Sequence, residues 1–343
     1  MKIGFKGEKL SEKLFLATGI LPEMAIMPFF STVVSNAYLT AQRLDIFSLL
    51  EKNSLSVKEV AKKTEADEHG MRVLLEALTG FGYLERQNGK FQVSRAFRKS
   101  LDGNMSEMAR GMMIFAPDIA KKFENLDKAV KTGEVENFHF TPITPSSWSH
   151  YLTFLKGVSK EPTKALVKKV KFDAPPRKML DIAGGPAQYS IAFCRKYQNL
   201  EAIILDLPES AAAGEAEIKK AELEGRISYI TGNFFETDWG GDYDFALLSN
   251  MLHCLTAEQC QTVIKKTFES LRPGGLIVTN DVDFPGEDEE IQMVAGWSSL
   301  LYFTMMGTRT HPTPIIEKWL SDAGFTKIKK TKIENSAQLI CRK

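Results

Sequence analysis

The sequence lacks the features that mark a disulfide-rich, zinc-binding or strongly charged protein. Its 343 residues contain four cysteines, with no CxxC pair and no metal-type spacing, so we expect reduced thiols and no metal site. Lys plus Arg (44) nearly equals Asp plus Glu (43), so no net field would draw the chain to nucleic acid or to an anionic membrane. These absences predict a cytoplasmic protein that acts on a small molecule.

A long, unbroken apolar run is also missing. The most apolar N-terminal stretch is interrupted by Pro22, Glu23 and Pro28, so we expect neither a signal peptide nor a membrane span. What is present is a hydrophobic share of 43%, enough for a large core in a chain whose length suggests roughly two domains.

The first hundred residues predict a winged helix. Ser56 with Glu59 forms a capping-box pattern, residues 64–67 read as a turn, and residues 71–81 have helical spacing. The segment 83–93 then reads as a hairpin with Asn88-Gly89 at its tip. The second helix carries Asp67, Glu68 and Glu76, an acidic set poorly suited to phosphates, so a structural or dimerising role is favoured over DNA binding.

Beyond residue 100 the pattern changes twice. Residues 101–172 read as helices and loops, with a bend at 141–150. After Pro175-Pro176, five short apolar runs alternate with amphipathic helices at 188–198, 209–223 and 257–271, which is typical of an α/β protein with a parallel sheet covered on both faces. A last helix and a terminal hairpin follow. We therefore predict three segments: a winged helix at 1–100, a helical connecting and pocket segment at 101–172, and an α/β domain at 173–343.

The turn after the first strand, "LDIAGGPA", predicts a nucleoside site without a phosphate cradle. Gly184 and Gly185 allow a tight turn, but the full GxGxxG pattern is absent, and Pro186 removes an amide donor that a pyrophosphate would need. Asp206 ends the second strand, where a carboxylate can bind both ribose hydroxyls. Asn233 and Phe234 follow the third strand and suit an adenine ring. Together these residues indicate S-adenosylmethionine as the cofactor.

At this point the chain resembles a known family, the small-molecule O-methyltransferases of plants and bacteria that carry an N-terminal winged-helix dimerisation domain. The resemblance rests on "LDIAGG", "LDLP", "GNFF", "SNMLHCL", "LRPGGLIVTND" and "GTRT…WLSDAGF". Members act on caffeate, acetylserotonin, phenazines and polyketides, and a close relative methylates a carbon of bacteriochlorophyll precursors. The resemblance implies a Rossmann-like class I methyltransferase domain with a seven-stranded, mostly parallel sheet.

The resemblance also implies site residues. Contacts to S-adenosylmethionine, whose product is S-adenosylhomocysteine, fall on Gly184, Gly185, Asp206, Leu207, Asn233, Phe234 and Ser249, with Asp181 supporting the turn. His253 matches the general base and Asp281 the acid that orients it. Four departures stand out. The family's GGGxG reads AGGPA here, its GDFF reads GNFF, and its LHDW reads LHCL. Thr308 stands at the position of the family's second orienting acid.

The acceptor is predicted to be small, apolar and aromatic. Two Met- and aromatic-rich stretches, 105–115 and 293–306, are candidates for its pocket, and the residues chosen from them are Met112, Met293, Trp297, Phe303 and Met306. The apolar run 14–39 favours a homodimer. Two alternatives stay open: a C- or N-methyltransferase (or non-methylating relative) of the same fold, and a winged-helix, ligand-sensing transcription regulator.

Overall fold

The computed structural model describes residues 23–100, 106–141 and 144–343, together with Ser11 and Lys13. Outside these described residues lie the first part of the apolar run 14–39, up to residue 22, and residues 101–105, which begin the predicted helical segment 101–172 and include the first residue of the stretch 105–115. The chain divides into two compact units, Met1–Ala109 and Arg110–Lys343. From Arg110 onward, the helices of the predicted 101–172 segment thus belong to the same unit as the C-terminal sheet.

The N-terminal unit is built mainly from short helices. Its described elements are α1 (Glu23–Arg43), α2 (Ile46–Glu51), β1 (Leu55–Ser56), α3 (Val57–Lys63), α4 (Glu68–Gly80), β2 (Leu84–Gln87), β3 (Lys90–Val93) and α5 (Arg95–Ser100). The three strands pair antiparallel in the order β1-β3-β2. The predicted order of helix, turn, helix and hairpin is confirmed.

Local signals explain these boundaries. The Ser56 side chain accepts from the Glu59 amide while Glu59 accepts from the Ser56 amide, which completes the predicted capping box of α3. Asp67 caps α4 by accepting from the Gly70 amide at 2.8 Å, so this helix begins three residues earlier than its apolar pattern indicates. Asn88 and Gly89 both have positive φ angles (50° and 74°), as a two-residue hairpin turn requires.

Helix α1 continues through Pro28, which the sequence pattern reads as an interruption. By length and composition alone, its residues Met24–Arg43 are long and apolar enough to cross a membrane, with a mean hydropathy of 1.2. The core helix of a globular protein and an N-terminal signal sequence can have the same length and composition. Its side chains Met24 and Phe29 are 86% and 71% exposed in the isolated chain.

The C-terminal unit contains the large sheet and the helices that cover it. Its elements are α6 (Ser106–Phe123, which contains the division between the units), α7 (Leu126–Thr132), α8 (Pro145–Lys169), β4 (Lys178–Ile182), α9 (Gln188–Lys196), β5 (Glu201–Asp206), α10 (Pro208–Lys220), β6 (Ile227–Thr231), β7 (Tyr243–Ser249), α11 (Ala257–Ser270), β8 (Leu271–Val282), α12 (Met293–Met306), α13 (Thr313–Asp322), β9 (Thr326–Ile333) and β10 (Ser336–Arg342).

The seven strands lie in the order β6-β5-β4-β7-β8-β10-β9. The first five in this order pair in parallel, and β10 pairs antiparallel with both β8 and β9. The predicted seven-stranded, mostly parallel sheet is confirmed. Because the strand order reverses between β4 and β7, a crevice opens there beyond the carboxyl ends of the strands.

Both faces of the sheet are buried, as the near-continuous apolar strands predict. Alternate residues of β4 point to opposite sides, so that Leu180 joins a core with Val263 and Leu320 while Met179 joins a second core with Leu166 and Phe245. The predicted bend at 141–150 is wrong from residue 145 onward. Thr144 caps α8 and Pro145 occupies its first turn, where a missing amide hydrogen has no cost.

Helices α6 and α8 cross closely at Gly111. A Cβ atom at this position would lie 2.7 Å from the Phe154 Cα and 2.9 Å from the Thr153 carbonyl oxygen, both of them backbone atoms. We expect Gly111→Ala to lower the free energy of unfolding by about 1–3 kcal/mol, because the helices must separate to admit the methyl group. Urea denaturation measures this change.

Gly225→Ala is the matched control, since nothing lies within 4 Å of a Cβ atom there. Equal stability of the two variants would contradict the close crossing.

Candidate active site

A cavity of about 330 Å³ opens at the carboxyl edge of the parallel strands. All of its lining residues belong to the C-terminal unit. One end is lined by the turns that follow β4, β5 and β6, and the other by side chains of α6, α8 and α12 together with the segment 138–140. The cavity thus joins a polar end on the sheet to an apolar end among helices, an arrangement typical of small-molecule sites.

The glycine turn after β4 is held by a buried carboxyl group. Asp181 is 1% exposed and accepts from the Ser190 hydroxyl at 2.7 Å. Burial raises its pKa to about 7, although the Ser190 hydrogen bond opposes the shift. A Cβ atom on Gly184 would lie 2.7 Å from the Asp181 Cγ, so only glycine fits beside this carboxyl. Ala183 and Ala187 flank the turn with φ angles of 55° and 64°.

Asp206 connects this turn to the end of β5. Its two carboxylate oxygens accept from the amides of Gly185 and Leu207, each at 2.7 Å. Burial raises the pKa of Asp206, while these amide hydrogen bonds favour its charged form. The Tyr229 hydroxyl donates to the Gly185 carbonyl at 2.6 Å and fixes the turn from the other side.

The remaining predicted cofactor residues also reach the cavity, but not all of their polar groups are available. Asn233 is engaged within its own turn: its amide group donates to Glu236 at 3.1 Å and accepts from the Phe235 amide at 3.1 Å. The Ser249 hydroxyl accepts from Asn280 at 2.9 Å. Every predicted cofactor residue is found in the lining: Asp181, Gly184, Gly185, Asp206, Leu207, Asn233, Phe234 and Ser249.

His253 lies on a short 3-10 turn after β7 and faces the cavity. Its Nδ1 lies 2.7 Å from Asp281 Oδ1, and its backbone amide donates to Asp281 Oδ2 at 3.3 Å. Asp281 stands behind the histidine and is not part of the cavity wall, and both side chains are buried. Burial alone would lower the pKa of His253, but the Asp281 carboxylate, followed by Tyr302 and Cys254, raises it well above 6.5.

Two further contacts hold the histidine, and sequence analysis anticipates neither. The Tyr302 ring stacks on the imidazole with a centroid distance of 3.6 Å and an interplanar angle of 7°. The Thr308 hydroxyl, at the position that the sequence resemblance matches to a second acid, donates to the His253 backbone carbonyl at 2.6 Å. Thr308 therefore anchors the loop rather than the ring. The stacking joins residues 49 positions apart in sequence, and no local pattern signals it.

The apolar end contains only some of the predicted acceptor residues. Met112, Trp297 and Met306 line it, whereas Met293 and Phe303 do not. Helix geometry explains the difference, because α12 presents one stripe to the cavity. Phe303 lies off that stripe, and Met293 lies one turn before its first member. The lining residues of α12 are Trp297, Leu301, Tyr302, Met305 and Met306.

A second wall is formed by aromatic residues, of which only Phe115 lies in a stretch, 105–115, that the sequence pattern marks as a pocket candidate. Aromatic rings of α6, α8 and the segment 138–140 contact one another at centroid distances from 5.1 to 6.2 Å. The density of aromatic residues between 138 and 154 is the only sequence signal for the rest of this wall. The cavity residues that form it are Phe115, Phe138, His139, Phe140, Trp148, Tyr151 and Phe154.

Comparison with known proteins assigns both parts of the chain. The model of the O-methyltransferase domain family matches residues 125–326, and that of the O-methyltransferase dimerisation domain matches residues 28–100. The chain therefore belongs to the O-methyltransferase family. In class it is an S-adenosylmethionine-dependent O-methyltransferase, as the sequence resemblance predicts.

Named relatives include enzymes that methylate oxygen and carbon. The chain is 24% identical over 308 residues to the tetracenomycin polyketide synthesis 8-O-methyl transferase TcmO of Streptomyces glaucescens, with 87% of this chain and 90% of the relative covered. It is 23% identical over 306 residues to the L-tyrosine C(3)-methyltransferase of Streptomyces lavendulae, with 84% and 82% covered.

A solved structure with the same fold is that of human N-acetylserotonin methyltransferase in complex with S-adenosylmethionine. It superposes with a TM-score of 0.74 at 18% identity and covers 99% of each chain. At this identity the likeness establishes the class I methyltransferase fold. Among the residues that the structure describes, no group of three or more His, Cys, Asp or Glu side chains is placed to hold a metal ion.

The His253–Asp281 contact predicts a measurable titration. In the intact protein we expect the His253 imidazole to titrate above pH 6.5, because the adjacent carboxylate outweighs burial. In Asp281→Asn the largest effect that raises the pKa of His253 is removed, so this pKa should fall. Two-dimensional NMR of the imidazole nitrogens measures both values, and the chain has only five histidines to assign.

The raised pKa belongs to the folded state, so its contribution to stability is complete below about pH 6.5 and is lost as the pH rises through the folded-state value. A His253 pKa that is unchanged in Asp281→Asn would contradict the electrostatic assignment.

Proposed function

We propose that the protein methylates a hydroxyl group of a small, apolar, aromatic molecule, with His253 as the general base and Asp281 as the residue that orients it. The observation that carries this proposal is the 2.7 Å contact between His253 Nδ1 and Asp281 in the wall of the cavity. In the neutral imidazole, that contact places the proton on Nδ1 and leaves Nε2 as the proton acceptor, so His253 acts as a base at a pH above its raised pKa. The same cavity contains the strand-end carboxylate Asp206.

The polar end of the cavity suits S-adenosylmethionine. Asp206 offers a buried carboxylate to ribose hydroxyls, Phe234 offers a ring face, and Pro186 offers no amide to a phosphate. Ala187 precedes α9 with φ 64° and provides no side-chain cap for the helix. When bound, the cofactor supplies an electrophilic methyl group on a positively charged sulfur.

The chain's own residues would then move one proton. His253 Nε2 would accept the proton of the acceptor hydroxyl as that oxygen takes the methyl group. Asp281 stabilises the imidazolium that forms, and the Tyr302 ring keeps the imidazole plane fixed. General-base catalysis of this kind contributes about 10²- to 10⁴-fold.

The apolar end supports an aromatic acceptor. Stacked and edge-on rings of the second wall offer flat surfaces, and Met112, Met305 and Met306 offer adaptable ones. Met293 and Phe303 lie on α12 but do not line the cavity. We propose that they affect acceptor binding only indirectly, through the position of this helix. TcmO, by its name, methylates a hydroxyl in polyketide synthesis, which agrees with this class of acceptor.

Carbon methylation is the second candidate. The L-tyrosine C(3)-methyltransferase is a relative of comparable identity, and Thr308 replaces the second acid. A base held by one carboxylate suits removal of a phenol proton in either reaction. Mass spectrometry of the labelled product distinguishes the two, because an O-methyl ether and a C-methyl phenol fragment differently.

The N-terminal unit is proposed to pair two chains. The dimerisation model begins at residue 28, within α1, where Phe29, Phe30 and Val33 are 71%, 49% and 48% exposed. Large apolar side chains on one helix rarely stay in water, so a second copy of the chain is the expected cover.

The role of His253 is tested by His253→Ala. We expect the variant to bind S-adenosylhomocysteine with unchanged affinity in calorimetry. Its turnover should fall at least about a hundredfold, because the proposed proton acceptor is removed. Turnover is measured on an acceptor found by screening phenols with methyl-labelled cofactor, and an unchanged rate would refute the role.

The matched variant is Asp206→Asn, which should weaken cofactor binding, whereas His253→Ala should leave it unchanged. Asp206→Asn keeps the side-chain volume but removes the charge that faces the ribose, so S-adenosylhomocysteine binding should weaken about tenfold or more. If binding is unaffected, the cofactor end is misassigned.

The dimer is tested by light scattering of the full chain at micromolar concentration. We expect twice the mass of 38.4 kDa. Double substitution of Phe29 and Val33 by Glu should shift the particle to a monomer, because charges on the apolar face oppose its burial. A stable monomer of the unmodified chain would remove the proposal.

A further inference from the structure

The acceptor end of the cavity contains a polar pair that the proposed chemistry does not use. His139 Nε2 and the Tyr151 hydroxyl lie 2.9 Å apart, and both residues line the cavity within the aromatic wall. Neither contacts His253 by a hydrogen bond. The pair is surrounded by rings, with Phe138 5.1 Å and Trp148 5.6 Å from Tyr151 by ring centroid.

Both members of the pair are uncharged at neutral pH. Burial lowers the pKa of His139 to about 4, and the nearby His253 adds to the shift. Burial raises the pKa of Tyr151 well above 10. One hydrogen bond within the pair uses one proton, and the tautomer decides which member donates it. The Tyr151 hydroxyl is left as either donor or acceptor, which suits a hydroxyl or a carbonyl group.

The distribution of charged side chains around the cavity also favours an uncharged ligand group at the acceptor end. Among the described residues that line it there is no lysine and no arginine, and its carboxyl groups, Asp181 and Asp206, belong to the cofactor end. The imidazole whose pKa is raised, His253, is already paired with Asp281. The lysines of α8 do not line the cavity either, although Val158, Ser159 and Pro162 of that helix do.

Among the described residues, a carboxylate at the acceptor end would therefore meet no cation except the His253 imidazole, whose charge Asp281 already balances, so its burial is strongly unfavourable. We propose that the acceptor is a neutral, carboxylate-free aromatic molecule, and that the His139–Tyr151 pair binds a hydroxyl or carbonyl group of it other than the methylated oxygen. This inference rests on the proposed function, since it takes the apolar end as the acceptor site. It separates this chain from relatives that act on amino acids.

The test uses three naphthalenes of equal ring size, titrated into the complex with S-adenosylhomocysteine. They are 2-naphthol, 2,6-dihydroxynaphthalene and 6-hydroxy-2-naphthoate, and binding is followed by calorimetry at pH 7. We expect the dihydroxy compound to bind at least about tenfold more tightly than the naphthoate, because the latter must bury its charge. Equal or tighter binding of the naphthoate would overturn the proposal, as would failure of both neutral compounds to bind.

Tyr151→Phe isolates the contribution of the pair. It keeps the ring contacts, so we expect about a tenfold loss for 2,6-dihydroxynaphthalene and less than about a twofold change for 2-naphthol. Equal losses for both compounds would mean that Tyr151 acts only through packing, and no loss for either would remove the hydrogen bond. Tyr197→Phe is the control, because Tyr197 packs on Phe172 away from the cavity and should change nothing.

His139→Gln is the second variant, since it keeps a neutral amide beside Tyr151 and should retain more affinity for the dihydroxy compound than Tyr151→Phe. Less affinity than in Tyr151→Phe would contradict a hydrogen-bonding role for Tyr151. The two proposals fail separately. If S-adenosylhomocysteine does not bind, the cofactor end is wrong; if it binds and the naphthalenes behave otherwise, only the acceptor inference is wrong.

Discussion

The site depends on one kind of contact that occurs on both sides of the reversal in strand order. A carboxylate at the end of one parallel strand accepts an amide proton from the turn after the neighbouring strand. Asp206 at the end of β5 accepts from Gly185 after β4, and Asp281 near the end of β8 accepts from His253 after β7. A buried carboxylate is costly unless such donors satisfy it. Each contact therefore fixes the position of a strand-end carboxylate and of the neighbouring loop at the same time.

The two carboxylates nevertheless act differently because their remaining partners differ. Both carboxylates also accept from the amide of the residue that follows them, Leu207 or Val282, but Asp206 presents its face to the cavity. Asp281 turns its other oxygen to an imidazole and lies behind it. The first is suited to bind a ligand directly, whereas the second acts only through His253. On the proposed function, the same backbone arrangement would support cofactor binding at one strand end and proton transfer at another.

The sequence predicts the framework well and the side-chain contacts poorly. Strand runs such as "YDFALLSN" and caps such as Ser56–Glu59 depend on neighbouring residues, so their patterns are readable and the structure agrees with them. The residues that line the polar end of the cavity can also be predicted, because the carboxyl ends of parallel strands meet at one edge of the sheet. The Tyr302–His253 stack and the His139–Tyr151 pair join distant segments, and only the fold reveals them. Met293 and Phe303 show that composition identifies a helix but not its exposed stripe.

The glycine turn has a further consequence for how the site behaves when empty. Ala183 and Ala187 hold left-handed backbone angles that cost an alanine about 1–2 kcal/mol each, and a glycine almost nothing. Alanine also has fewer backbone states than glycine in an unfolded or loosened loop. The strain is incurred once, when the chain folds, and the loop then has few other shapes to adopt. Ligand binding should accordingly require little further ordering of this segment. The two alanines thus lower the folding stability somewhat but preorganise the binding loop.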